Sequence, residues 1–336
     1  MKFVIYGVGA IGGVLAARLA LSGVEVAGIA RGAQLEAIRK KGLKLRTPEA
    51  ETVVKLEAVE DPEKLAFDAE DVIVLAMKTQ DTPLALQRLR AAGVAGQAIV
   101  CAQNGVTNER FALRRFPNVY AMTVMMPATY VAAGEVNSFA LPKAGVFDLG
   151  RYPTGSDVTA EKIAAALNAA GFDCVVDPEV MASKYGKLLL NLNNIIDAAL
   201  PGGQGKNFAE AARAEAEAVY EAAGIVWKDV GATNQRRREL LQEKPIPGVS
   251  RVGSSTAQSL ARHTGSIETD FLNGEIVLLG RLHDVPTPVN TYFSNLAQRL
   301  LGEKLKPGAI TVAEVEREIA VAQAAAQAAK EASPLQ

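Results

Sequence analysis

The run Gly7-Val-Gly9-Ala10-Ile11-Gly12 has the residue types and spacing of a loop that binds phosphate groups. A short β-rich run at residues 2–6 precedes it, and an apolar run typical of a helix follows at residues 10–22. In such a strand–turn–helix, the first glycine permits a tight turn, the second lets the backbone approach a pyrophosphate, and the third lets helix and strand pack closely. Free N–H groups at the helix start attract the phosphates. The motif therefore predicts a dinucleotide site; the alternative is a glycine-rich turn without a ligand.

A cationic residue follows the second predicted strand, residues 24–30. Arg31 stands nineteen residues after Gly12, close to where enzymes that use NAD place an acid for the adenosine ribose. A guanidinium binds a 2′-phosphate through two hydrogen bonds, whereas a carboxylate repels it. Residues 29–34 contain no acid. The position therefore favours NADPH/NADP+ as the cofactor, with a solvated arginine at a helix start as the alternative.

Two more polar residues follow predicted buried strands. Lys78 comes after the apolar run 71–77, and Asn104 comes shortly after the run 97–101. Ligands of open α/β sheets bind at the carboxyl ends of the strands. Lys78 could therefore reach a phosphate or line the nicotinamide side, and Asn104 could hydrogen-bond a ribose, a carboxamide or a substrate oxygen. A surface lysine and an ordinary Asn-Gly turn are the alternatives.

Strands and helices alternate over the first half of the chain, in the order that is typical of a doubly wound α/β sheet. Short β-like runs from about 118 to 150 predict mixed or antiparallel strands that extend this sheet. A last strand is predicted at 172–176, and Pro178 marks the predicted end of a Rossmann-type domain, residues 1–178.

Helical patterns dominate the remaining residues, 179–336. We predict a long helix over 179–200 and an Arg/Glu-rich helix over 233–243, with further helices between and after them. The predicted fold class is thus α/β, with an N-terminal Rossmann-type doubly wound sheet followed by an all-α C-terminal domain. Such an Ala-rich helical domain could bury a homodimer interface or only its own core.

Length and composition are typical of a globular protein with two domains. The 336 residues are 49% hydrophobic and carry a formal net charge of −1, which gives no reason to expect nucleic acid as a partner. No run approaches the ~20 apolar residues of a membrane span. Glycines and Arg18 interrupt the apolar N-terminus, which argues against a signal peptide and favours a cytoplasmic protein. Cys101 and Cys174 are predicted to be buried thiols, and no Cys/His spacing indicates a metal.

Seven segments resemble the ketopantoate reductase (2-dehydropantoate 2-reductase) family, over nearly the whole chain. They are GVGAIGG, IARGAQLEAIRKKGLKL, LAMKTQD, AQNGV, KYGKLLLNLN, SSTAQSLARHTGSIETDFLNGEIV and HDVPTPVN. Many dinucleotide-binding proteins share the first, but the last three in this order are much more specific. The resemblance implies NADPH-dependent reduction of ketopantoate to pantoate, a step in the synthesis of pantothenate and coenzyme A.

The resemblance also implies roles for individual residues. Arg31 and Lys78 would contact phosphate groups of NADPH, and Asn104 would bridge cofactor and substrate. Lys187 would be the catalytic general acid, and Glu268 would orient the lysine or the substrate. The remaining substrate contacts would come from Asn191 and from Ser255, which would hold the carboxylate. We expect the substrate in a cleft between the two domains.

The residues around Lys187 are compatible with this role. A ketone reduction needs a proton for the developing alkoxide, and a lysine at the carbonyl oxygen can stabilise the charge and donate that proton. Lys187 and Asn191 are four residues apart, so they project from one helix face. Three leucines follow Lys187, so we expect a packed helix in which the lysine needs a partner, such as Glu268. Lys184 competes for the role but lacks an Asn four residues on; a snorkelling surface lysine is the alternative.

Some positions depart from the family pattern. Ile195 stands where the family has a second asparagine on the lysine helix, and Asn194 could substitute for it. Thr269 stands where the family usually has isoleucine. Both belong to the predicted substrate pocket, so a different 2-oxo acid or an imine is the alternative substrate. Two further alternatives are an NADPH-binding sensor without turnover and a 6-phosphogluconate or 3-hydroxy-acid dehydrogenase, which shares the domain plan.

Overall fold

A computed structural model describes residues 1–130, 132–250, 253–262 and 265–332. The chain divides into two compact units. The first unit comprises Met1–Lys187 and Trp227–Arg251, and the second comprises Leu188–Val226 and Val252–Gln336. The domain boundary predicted at residue 178 stays a prediction.

The strands belong to the first unit. In chain order they are β1 (Phe3–Tyr6), β2 (Val26–Ile29), β3 (Leu43–Arg46), β4 (Glu51–Val54), β5 (Glu57–Val59), β6 (Val72–Leu75), β7 (Ala98–Cys101), β8 (Val119–Met125), β9 (Ala128–Thr129), β10 (Glu135–Ser138), β11 (Ala140–Pro142), β12 (Val146–Arg151), β13 (Asp173–Val176) and β14 (Leu241–Glu243). Among the described residues of the second unit, the regular elements are all helical.

The largest sheet has the strand order β5-β2-β1-β6-β7-β8-β12-β13. Its first six strands are parallel and repeat the order 3-2-1-4-5-6 of dinucleotide-binding folds. The strand order reverses between β1 and β6, which is where such sheets bind their ligands. The predicted Rossmann-type sheet, followed by helices, is therefore confirmed.

Not all of the strands predicted to extend this sheet do so, and β11 pairs with β14 in a sheet of its own. β12 does extend it, antiparallel to β8, and β13 follows parallel to β12. β9 and β10 instead join β3 and β4 in a separate sheet of order β4-β3-β10-β9. That part of the prediction was wrong, because pairing with β3 connects segments about ninety residues apart and leaves no local signal.

The central strands are buried on both faces. In β1, Phe3 and Ile5 belong to one hydrophobic cluster while Val4, which points the opposite way, belongs to another. All three are 0% exposed. Burial of such side chains contributes roughly 1.5–3 kcal/mol each, so the strand that ends at the glycine loop is firmly held.

The α-helices are α1 (Ala10–Leu21), α2 (Gly32–Lys41), α3 (Thr82–Ala91), α4 (Asn108–Leu113), α5 (Val158–Ala169), α6 (Val180–Asn191), α7 (Asn193–Ala199), α8 (Lys206–Ala222), α9 (Gln235–Leu240), α10 (Ser255–Ala261), α11 (Asn273–Leu282), α12 (Pro288–Gly302) and α13 (Val312–Ala332). Short 3-10 helices lie at Pro62–Lys64, Thr79–Asp81 and Thr269–Phe271. None of the helices in the described part of the chain is long and apolar enough to cross a membrane.

Two predicted helices differ from the observed ones. The helix predicted over 179–200 is interrupted at Leu192, between α6 and α7. The helix predicted over 233–243 ends at Leu240, because the next three residues form β14 and pair antiparallel with β11, Leu141 opposite Gln242. At β14, pairing with a strand about a hundred residues earlier overrides the local helical preference.

Candidate active site

Four neighbouring parallel strands end at the same level of the sheet. The register pairs Tyr6 with both Ile29 and Leu75, and Leu75 with Cys101. The residues that follow these strand ends are the glycine loop, Arg31, Lys78 and Asn104. The structure therefore brings the sequence-predicted cofactor residues together at one edge of the first unit.

The glycine loop fits a bound pyrophosphate. Gly7 has φ +100°, which disfavours any side chain, and a Cβ atom at position 12 would lie 2.1 Å from the Gly7 carbonyl oxygen. A Cβ atom at Gly9 would meet nothing within 4 Å, so this side of the loop is open. Helix α1 starts here with no side-chain cap and no acid in its first turn. Its N–H groups and dipole can therefore receive an anion.

Arg31 lies at the start of α2 with its side chain 80% exposed. Its Nη2 is 3.3 Å from Oδ2 of Asp81, which ends the 3-10 helix that begins directly after Lys78. The sequence around Arg31 does not reveal this carboxylate, because Asp81 lies fifty residues further along the chain. The available signal was an acid three residues after Lys78, in the segment that follows β6.

Hydrogen bonds tie the loops after β6 and β7 to each other. Nδ2 of the buried Asn108 donates to the Asn104 carbonyl oxygen and to Oγ1 of Thr79, both at 3.1 Å. Its Oδ1 accepts from Oγ1 of Thr82 at 2.8 Å. The positions of Lys78, half-buried beside Thr79, and of Asn104, also half-buried, are thus coupled through buried side chains.

Lys187 reaches the same sheet from α6. Its side chain is half-buried, and Nζ donates a hydrogen bond to the carbonyl oxygen of Val124 in β8. Val124 is three residues beyond Ala121, which pairs with Cys101 at the end of β7. The ammonium group therefore lies beyond the point where β7 ends, at the edge of the sheet where Asn104 follows.

The competing lysine, Lys184, is buried and bound to other protein groups. Lys184 is 3% exposed and forms an ion pair with Glu109, which is 0% exposed. Its Nζ also donates to the carbonyl oxygen of Gln103 at 3.1 Å. Because this ammonium is enclosed by protein acceptors, the geometry favours Lys187 over Lys184 as a proton donor to a ligand.

Asn194 and Ser255 meet within the second unit. Nδ2 of Asn194 lies 3.2 Å from Oγ of Ser255, and the neighbouring Ser254 donates to the Asn194 carbonyl oxygen at 2.7 Å. Ile195 is 1% exposed and belongs to the apolar core of this unit. The position that departs from the family pattern thus contributes to the core, while the adjacent asparagine contacts the serine.

Three further side chains were singled out from the sequence. Asn191, at the end of α6, is 9% exposed, and its Oδ1 has no hydrogen-bond partner among the described residues. Glu268 is half-buried and precedes the 3-10 helix Thr269–Phe271. Thr269 is 1% exposed, and within the described part of the chain its Oγ1 has no partner. The action of Glu268 on Lys187 stays a prediction.

Both cysteines are buried free thiols, as predicted. Burial raises the pKa of Cys174 to about 12 and also raises the pKa of Cys101. Among residues 1–130, 132–250, 253–262 and 265–332, no group of three or more His, Cys, Asp or Glu side chains could hold a metal ion.

Comparison with known proteins places two family models on the chain. The model described as "Ketopantoate reductase PanE/ApbA" matches residues 3–153, and its C-terminal counterpart matches residues 188–300. A 2-dehydropantoate 2-reductase of Mesorhizobium japonicum is 29% identical, over 90% of this chain and 99% of that protein. Another, of Pyrococcus horikoshii, is 26% identical over 86% of this chain and 94% of the relative.

Solved structures agree in fold. A PanE/ApbA family ketopantoate reductase of Ralstonia eutropha is 27% identical, has a TM-score of 0.74 and covers 90% of this chain and 99% of its own. D-mandelate dehydrogenase with NADH and anilino(oxo)acetate has a TM-score of 0.75 at 21% identity, with 90% and 99% covered. At that identity the second likeness speaks for the fold alone.

Proposed function

Because the chain belongs to the ketopantoate reductase PanE/ApbA family, whose members are NADP-dependent oxidoreductases, we propose that it reduces ketopantoate (2-dehydropantoate) to pantoate with NADPH. The observation that carries the proposal is the position of the Lys187 ammonium at the carboxyl edge of the Rossmann-type sheet. A proton donor at this edge is what the reduction of a carbonyl group needs beside a nicotinamide.

The cofactor would be held by the residues at the ends of the parallel strands. The backbone of Gly7, Gly9, Ala10, Ile11 and Gly12 would receive the pyrophosphate at the start of α1. Arg31 would bind the 2′-phosphate, Lys78 a phosphate group, and Asn104 a ribose or carboxamide. NADPH, when bound, supplies the hydride for the substrate carbon.

The proton would come from Lys187. Its protonated Nζ would donate a hydrogen bond to the substrate carbonyl oxygen, stabilise the negative charge that grows there, and transfer the proton to the alkoxide. The Val124 carbonyl oxygen accepts a hydrogen bond from Nζ and so helps to orient the ammonium. The neutral amine would then recover its proton from solvent, which completes the proton balance of the reaction.

The remaining residues would hold the substrate. Asn191 offers a buried amide with an oxygen that lacks a partner among the described residues, suited to a substrate hydroxyl. Ser255, with Asn194 beside it, would hold the carboxylate. Glu268 would orient the lysine or the substrate, as the family resemblance implies.

A second candidate is reduction of a different 2-oxo acid by the same residues. Thr269 supports it, because its buried hydroxyl has no partner in the described part of the chain and replaces an apolar residue in the predicted pocket. A hydroxyl there could select a substrate with a different polar group.

Absorbance at the NADPH band separates the candidates when ketopantoate, pyruvate and 2-oxoisovalerate are offered in parallel. We expect the highest kcat/KM with ketopantoate. Faster turnover of another 2-oxo acid would assign the enzyme to that substrate. Tight NADPH binding without oxidation by any acceptor would instead identify a sensor and overturn the proposal.

A further inference from the structure

The charges at the Arg31 end of the sheet edge are balanced. Besides the Arg31–Asp81 pair at 3.3 Å, Arg88 Nη1 lies 3.6 Å from Oδ2 of Asp61. Burial raises the pKa of the Tyr6 phenol at the end of β1, and the neighbouring charges of Arg88, Asp61 and Arg31 also affect this pKa. Both guanidinium groups therefore already face a carboxylate. A 2′-phosphate, which carries about −1.5 to −2 charges at neutral pH, would have to compete for Arg31.

The backbone of Asp81 is anchored in place. Its N–H donates to the Lys78 carbonyl oxygen at 3.0 Å, and the next residue, Thr82, is 0% exposed and hydrogen-bonded to Asn108. The side chain of Arg31 is 80% exposed, and that of Asp81 is 41% exposed. The exposed Arg31 side chain can therefore turn toward a ligand, while the anchored backbone keeps residue 81 at the edge of the site.

We propose that Asp81 is a specificity-determining residue for the cofactor: its carboxylate opposes the 2′-phosphate of NADPH and so narrows the preference for NADPH over NADH. The inference rests on the proposed function, since it assumes that the adenosine end of the cofactor lies at Arg31. NADH lacks the phosphate, so its binding is insensitive to this repulsion. The enzyme would then bind both cofactors, and its preference for NADPH would be smaller than if Arg31 had no carboxylate beside it.

Substitution of Asp81 by Asn removes the charge and keeps the shape. Isothermal titration of the whole protein with NADPH and with NADH gives the two dissociation constants directly, independent of turnover. We expect Asp81→Asn to tighten NADPH binding about tenfold and to change NADH binding less than twofold. The fragments 2′,5′-ADP and 5′-AMP, which differ by the 2′-phosphate, should reproduce this difference.

The matched control is Glu70→Gln. It removes one negative charge from another exposed ion pair of the same unit, 3.4 Å from Lys162. If Glu70→Gln tightens NADPH binding as much as Asp81→Asn does, the effect comes from net charge and the inference is wrong. If the ratio of the NADPH and NADH dissociation constants is the same in Asp81→Asn and the wild-type protein, the inference is also wrong. The cofactor assignment would then stand. If the wild-type protein binds neither cofactor, the proposed function itself fails and the inference falls with it.

Discussion

The ammonium group of Lys184 is buried against the carboxylate of Glu109, one helical turn before Lys187 on α6. The pair joins α6 to α4, the helix that follows the Asn104 loop. A charge withdrawn from water in this way depends on its partner, because an uncompensated buried charge is costly. The turn that carries Lys187 is thereby fastened to the loop that carries Asn104.

We expect Lys184→Met to lower the free energy of unfolding by about 3–5 kcal/mol, because Glu109 would be left without a counter-charge. Denaturant unfolding measures the loss. The double variant Lys184→Met/Glu109→Gln should recover at least half of it. Lys162→Met, which breaks an exposed ion pair, is the control and should change stability by less than about 1 kcal/mol. A Lys184→Met variant as stable as this control would show that the buried pair does not hold α6.

Gly9 and Gly12 should respond to alanine in opposite ways. Gly12→Ala places a methyl group against the Gly7 carbonyl oxygen, so we expect a loss of several kcal/mol in stability. Gly9→Ala meets open space, so the protein should fold normally but bind NADPH at least tenfold more weakly, because the methyl occupies the approach of the pyrophosphate. Thermal unfolding and titration with NADPH measure the two effects. Normal NADPH binding by Gly9→Ala would remove the loop from the cofactor site.

Asn191 and Asn193 form a matched pair for substrate binding. Asn191 is nearly buried with an oxygen that lacks a partner among the described residues, whereas Asn193 is exposed. We expect Asn191→Ala to raise KM for the 2-oxo acid about tenfold, since one hydrogen bond to the substrate is lost. Asn193→Ala should leave KM and kcat unchanged. Steady-state kinetics that give both variants the same KM would exclude Asn191 as a substrate ligand.

Several features of the fold and site could be predicted from local patterns. Gly7, Arg31, Lys78 and Asn104 each follow an apolar run, and parallel strands with right-handed crossovers bring their carboxyl ends to one edge. Each of these residues can be recognised from a short segment of sequence. That they lie together follows from the topology of the parallel sheet.

Contacts between distant segments could not be predicted in this way. Asp81 lies fifty residues from Arg31 in the chain, and β14 pairs with a strand about a hundred residues earlier. The break at Leu192 has no glycine or proline to mark it, since the run from Leu188 to Ile196 is apolar and asparagine-rich. The local pattern likewise does not show that Ile195 lies in the apolar core of the second unit.

Alkaline pH should destabilise the protein through Cys174. Burial raises the pKa of this thiol from 9.0 to about 12, so the unfolded chain ionises first and then binds fewer protons than the folded chain. Stability is therefore lost as the pH rises from about 9 towards 12. Between pH 8 and 10.5, the wild-type protein should lose about 2 kcal/mol more than Cys174→Ala. Denaturant unfolding at both pH values measures the loss of stability. Equal losses in the wild-type protein and Cys174→Ala would contradict this prediction.

Under the proposed function, Lys187 donates the proton in an NADPH-dependent carbonyl reduction. The most direct test is the kcat for NADPH oxidation with ketopantoate, measured for the wild-type protein, Lys187→Met and the exposed control Lys206→Met. We predict that Lys187→Met lowers kcat about 10²- to 10⁴-fold with NADPH affinity within twofold of wild type, and that Lys206→Met changes neither. A Lys187→Met variant that keeps near-normal turnover would show that another group donates the proton.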